Sequence, residues 1–129
     1  MIKELIISFI IVIVIFIGNF ITEKYTNESI METSSDLSNL KQKIENKNYD
    51  KNIMENDIDF IIKKWDERYE KLAFYIEHNE LEKIKTELVY LEGCINNDDN
   101  SECIPEINKC IFILEHIKDK SVFNLKNIF

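Results

Sequence analysis

Residues Leu5 to Ile21 read LIISFIIVIVIFIGNFI, with no charge and only Ser8 and Asn19 as polar side chains. No other feature of the chain restricts its fold so sharply. A helix needs about 20 apolar residues to cross the hydrocarbon core, with a range of about 17 to 25. This run lies at the short end; Ile2 extends it and Lys3 can snorkel to the interface. The run is apolar on every face, unlike a core helix with one polar side. A cleaved signal peptide has a similar beginning, but Gly18, Asn19, Phe20, Ile21 and Thr22 give no small-x-small cleavage site, and no Cys follows to take a lipid. We therefore read residues 1–22 as an uncleaved transmembrane anchor and 23–129 as the domain it carries. A very short N-terminal tail with the whole domain following is the layout of a signal anchor, which puts the domain outside the cytoplasm.

That domain reads as helical. Gly18, Gly93 and Pro105 are the chain's only glycines and proline, too few for hairpins and strand turns. Ile30, Leu37, Leu40 and Ile44 form one narrow helical seam within polar residues 23–48. There, Thr33-Ser34-Ser35-Asp36 either recaps the helix or lets the membrane helix run on outward. Over 50–77, Ile58, Ile61, Ile62, Trp65, Tyr69, Leu72 and Ile76 keep a three-four spacing, with Lys63, Lys64, Asp66, Glu67, Arg68, Glu70 and Lys71 on the other face. Asp50 is its N-cap candidate. Asn79-Glu80-Leu81-Glu82 has the form of a capping box. The helix it opens buries Leu81, Ile84, Leu88, Leu91 and Ile95, and a polar loop follows at 96–100. Ser101 is the next N-cap candidate, and Pro105 suits the early turn of a last helix burying Ile107, Ile111, Leu114 and Ile117. The stretch Ser121 to Phe129, with Phe123, Leu125, Ile128 and Phe129, is expected to fold back on the bundle. Short loops make neighbouring helices antiparallel. The expected fold class is all-α: one N-terminal transmembrane helix, then a small antiparallel up-down bundle.

The net charge of −8 belongs to the soluble part, since the first 22 residues hold one Lys and one Glu. An acidic domain lacks the clustered Lys and Arg that nucleic acid demands, and it gains nothing from anionic lipid. The expected partners are the membrane and a protein, or a second copy, paired through the seam at Ile30, Leu37 and Ile44. No Gly-rich phosphate loop, nucleophile elbow or His-Glu-x-x-His helix is present, so neither an enzyme nor a cofactor is expected.

Three groups merit a chemical reading. His78 and His116 are expected at one end of the bundle, each near a helix end, beside Glu77, Glu80, Glu115 and Asp119. They are candidates for a divalent metal or a pH switch, against the plainer reading of helix-end capping. Cys103 and Cys110 share a helix face about 10 Å apart, too far for a disulfide. Cys94 can reach Cys103 across the polar loop; the alternative is three buried thiols acting as small hydrophobes. Asp98, Asn100 and Glu102 alternate like calcium ligands, yet Cys103 and Lys109 stand where the loop needs Gly and Glu.

Leu114-Glu115-His116-Ile117-x-Asp119-Lys120, then Leu125-Lys126-Asn127-Ile128-Phe129, together with the Trp65 helix, its Glu77-His78-x-Glu80 junction and the N-terminal anchor, resembles domain-of-unknown-function family 4363. The resemblance implies a small membrane-anchored protein of Gram-positive, largely anaerobic bacteria. It also implies an Asp-His-Glu-Glu-like junction, where this chain has Glu77-His78-Asn79-Glu80. It carries over no catalytic residue.

Overall fold

The computed structural model describes residues 1–47 and 50–128, with side chains through 121. Four helices make up the chain: α1 (Ile2–Glu45), α2 (Lys51–Leu72), α3 (His78–Asn96) and α4 (Asn100–Ile128). No strand occurs among the described residues.

The 44 residues of α1 form one unbroken helix. Its first half stands exposed and apolar; its second half enters the bundle through Ile30, Leu37, Leu40 and Ile44, all buried. Thr33-Ser34-Ser35-Asp36 does not interrupt it. The Thr33 hydroxyl donates to the Ser29 carbonyl at 2.7 Å, and Thr26 does the same to Thr22 at 2.8 Å, so these hydroxyls are satisfied inside the helix.

Cross-helix pairs show the up-down order. On α2, Asp57 pairs with Lys43 of α1 at 2.5 Å and Lys64 with Glu32 at 3.4 Å, so the two helices run antiparallel. Lys85 of α3 reaches Asp66 of α2 at 2.5 Å. On α4, Lys109 meets Glu87 at 2.8 Å and Lys120 meets Glu77 at 3.4 Å. α4 then packs back on α1 and closes the bundle. Trp65, Met54, Ile58, Leu72, Leu81, Leu88, Leu91 and Ile107 fill its centre. The α2 stripe follows the predicted spacing as far as Leu72, where the helix ends short of the expected 77; Ile62 and Tyr69 lie half-buried at its edge, and Ile76 packs on the core from the turn beyond.

The caps divide. Asp50 caps α2 by accepting from the Asn52 N–H at 3.0 Å. The Asn79 capping box does not form: α3 starts at His78, after Glu77, whose carbonyl takes the Glu80 and Leu81 N–H groups. Glu82, which the box would need, is engaged with Tyr69. α4 begins one residue before Ser101, whose hydroxyl donates to the Asp99 carboxylate at 2.8 Å. α4 also outruns its expected end. With no Gly or Pro after Pro105, it continues through Ile128 where a return onto the bundle was expected. Phe123, Leu125, Ile128 and Phe129 lie outside the described side chains.

Candidate functional site

The two histidines lie toward the same end of the bundle, but neither ends a helix as expected. α2 stops at Leu72 and His78 opens α3. His116 lies inside α4, exposed, with no hydrogen bond or ion pair among the described residues. His78 is edge-on to Tyr69, ring centroids 5.5 Å apart, and its Nδ1 is hydrogen-bonded to the Tyr69 hydroxyl. That hydroxyl donates to Glu82 at 3.1 Å, and Glu82 lies 3.8 Å from His78 Nε2. Desolvation, then the Glu82 carboxylate, pushes the Tyr69 phenol up. The α4 group facing the start of α3 is Lys120, 3.4 Å from Glu77 and 3.6 Å from Glu80. The cation that these two carboxylates meet is thus a lysine. Among the described residues no three His, Cys, Asp or Glu side chains form a metal-holding group.

The acidic α3–α4 loop has a cation of its own. Lys51 at the start of α2 donates to the Asn96 carbonyl at 2.8 Å and to the Asp98 carboxylate at 3.2 Å. Asp98 takes a left-handed backbone, φ 57°, which Asp tolerates better than most side chains.

Two sites stand out that the sequence reading passed over. The first is Arg68. It sits three residues after Trp65 and four before Leu72, on the shoulder of the α2 stripe, with its side chain only 12% exposed. Its Nη1 donates to the Ser29 carbonyl at 3.0 Å and the Thr33 hydroxyl at 2.8 Å, and its Nη2 pairs with Glu32. Ser29 and Thr33 are themselves buried, so the guanidinium closes a polar layer between α1 and α2.

The second is Glu106, 7% exposed, three residues after Cys103 and four before Cys110. One of its oxygens, Oε1, has no hydrogen-bond partner. Burial, then a hydrogen bond to Glu87 and that carboxylate's charge, raises the Glu106 carboxyl to about 7. Lys109 pulls the other way but makes its ion pair with Glu87. Glu87 is held below its ordinary value, first by the hydrogen bond from Glu106. Burial and the neighbouring carboxylate thus favour a protonated Glu106 beside an ionised Glu87.

The three cysteines, two of them flanking Glu106 on α4, are buried free thiols. Desolvation raises Cys103 to about 11 and Cys110 to about 12, and raises Cys94 with further help from Glu106. Thiols this hard to ionise are poor nucleophiles.

The model of the family described as "Domain of unknown function (DUF4363)" matches residues 20–128, from the end of the apolar run through the bundle. No curated protein and no solved structure matches the chain.

Proposed function

The chain belongs to that domain family, DUF4363, and from this premise we propose that it is a non-enzymatic, membrane-anchored helical module that holds its bundle outside the cytoplasm to bind a protein of the envelope. The observation that carries the reading is the continuity of α1. A segment long and apolar enough to cross a membrane is the same helix that supplies the Ile30, Leu37 and Ile44 core. A bundle built on its anchor is held at a set height and angle, which suits presentation to a partner. The seam at Ile30, Leu37 and Ile44 cannot be the contact, because the monomer buries it. The docking residues must instead come from outward apolar side chains such as Phe112, Tyr90 and Phe60. Pairing with a second copy is left to the exposed face of residues 2–21.

Protease added to intact protoplasts is the first test. Digestion of the bundle supports the outward orientation and makes a Cys94–Cys103 bond worth assaying by thiol labelling. Protection until lysis overturns the orientation. A photo-crosslinker at Phe112 or Phe60 should then give a discrete adduct in native membranes; smearing or silence at every outward position would sink the interaction role.

One observation favours a second reading, a proton-responsive domain. Its group is Glu106 and not the His78–His116 pair, because Glu106 is buried beside another carboxylate. Carboxyl NMR of Glu106 should show a midpoint near 7. An ordinary carboxylate midpoint would dispose of the idea.

A further inference from the structure

The base of the bundle carries an exposed aromatic turn. Between α2 and α3, Phe74 is 89% exposed and Tyr75 is 39% exposed, while Leu72 just before them is fully buried. The turn is fixed against α1. The Tyr75 phenol lies beside the side chains of Thr26 and Tyr25, both of which act on it. The Lys71 ammonium lies 5.5 Å from the centroid of the Tyr25 ring.

Because α1 is one helix, this fixes the turn's height above the apolar run. Thr26 is five residues beyond Ile21, about 7.5 Å along the axis. The polar interface of a bilayer is about 5–7 Å deep on each side of the hydrocarbon. A helix tilt of about 20° toward α2 would lower the turn by about 3 Å more. We propose that the α2–α3 turn lies in the bilayer interface, with Phe74 seated among lipid, so that the bundle rests on the membrane directly and not on a stalk. This rests on the anchor reading of residues 2–21.

The chemistry fits that occupant. Aromatic rings with a polar neighbour collect at the headgroup level, and Lys71 beside Tyr25 adds an amphipathic rim. The contact is apolar, so the net charge of −8 does not oppose it as it would an electrostatic dock. The exposed Phe112 and Phe60 offer a contrast. They lie more than two turns from the base, Phe112 eight residues before Lys120 and Phe60 twelve before Leu72, too high to touch lipid.

The test uses the full chain in phosphatidylcholine vesicles whose acyl chains are brominated near the carbonyl end. Phe74→Trp adds an emitter at the turn, Phe112→Trp adds one at the outer face, and native Trp65 is the buried background. The Phe74→Trp emission is expected to lose most of its added intensity to bromolipid and to resist aqueous iodide, with Phe112→Trp doing the reverse. Quenching of Phe74→Trp by iodide alone would leave the turn in water and overturn the proposal. Shielding from both quenchers would mean that protein covers it, which also overturns it. Flotation separates the two readings: a chain that does not float with the vesicles refutes the anchor itself, while one that floats with Phe74→Trp unquenched refutes only this contact.

Discussion

Arg68 and Glu106 are both charged side chains drawn under the surface of the bundle, yet they are held in opposite ways. Arg68 meets acceptors on every side: a carbonyl, a hydroxyl and the Glu32 carboxylate. Its partners suit a permanent cation, and Arg68 and Lys64 hold the Glu32 carboxyl below its ordinary value, so the joint between α1 and α2 keeps its charges near neutral pH. Glu106 meets another acid, and the nearby lysine spends itself on that acid. The joint between α3 and α4 is therefore best satisfied when Glu106 keeps its proton. The half of the bundle built on the anchor is locked, and the opposite half is conditional.

The largest expected effect comes from removing the lock. Arg68→Met removes the charged donor to the Ser29 carbonyl, the Thr33 hydroxyl and Glu32, leaving the carbonyl its bond from Thr33. It should cost about 2–3 kcal/mol, since hydrogen bonds from charged groups are the strong ones. Urea unfolding of the full chain in detergent micelles, followed by Trp65 fluorescence, measures it. The loss should match at about pH 5 and about pH 8; a pH-dependent loss would break the comparison. Glu106→Gln comes next and should act with the opposite pattern. The folded Glu106 carboxyl titrates near 7, above its ordinary value of 4.5. Its stabilising contribution is full below the ordinary value and disappears as pH rises through about 7. Glutamine stays neutral throughout. The variant should match the native chain near pH 5 and exceed it near pH 8 by on the order of 2 kcal/mol. Glu87, held low, loses its contribution only at more acidic pH and does not blur that window.

Both sites escaped a reading of spacing, and for one reason. The stripe Ile58, Ile61, Trp65, Leu72 was legible because apolar residues announce the buried face. Arg68 and Glu106 share that face's edge at three and four residues from its members, but charge makes them look like solvent side chains. The signal available was position: Arg68 between Trp65 and Leu72, Glu106 between Cys103 and Cys110. Its confirmation lay on other helices, in Ser29, Thr33 and Glu87, which no local pattern links to them. Helix ends failed similarly. Asp50 could be read because its side chain caps locally, whereas α3 starts after Glu77 with no side-chain cap, so no cap residue marks it in the sequence. The buried seam at Ile30, Leu37 and Ile44 was found but misassigned, since spacing shows that a face is covered and not by what.

Smaller changes sharpen the contrast. Thr33→Val keeps the shape and removes one acceptor of Arg68, leaving Ser29 and Glu32 in place. It should cost about 1 kcal/mol at every pH in the same urea assay. A cost that appeared only at high pH would show that the α1–α2 layer, too, depends on ionisation.

The smallest effect on stability, and the finest test, is Lys109→Ala. Its ammonium is half exposed and pairs with Glu87, so its removal should barely move the urea midpoint. It should move the titration. Among the described residues Lys109 is the cation acting on Glu106, and it lowers that carboxyl while Glu87 and Glu102 raise it. Without it, the Glu106 midpoint should climb above about 7 and the pH at which the α3–α4 joint loosens should climb with it. Carboxyl NMR on the variant reads the first and urea melts across pH read the second. If the midpoint stays where it was, Lys109 does not act on Glu106, and burial beside Glu87 sets it. The α3–α4 joint would then be two acids with no countercharge acting on Glu106, a wider contrast with Arg68 than the one drawn from their partners.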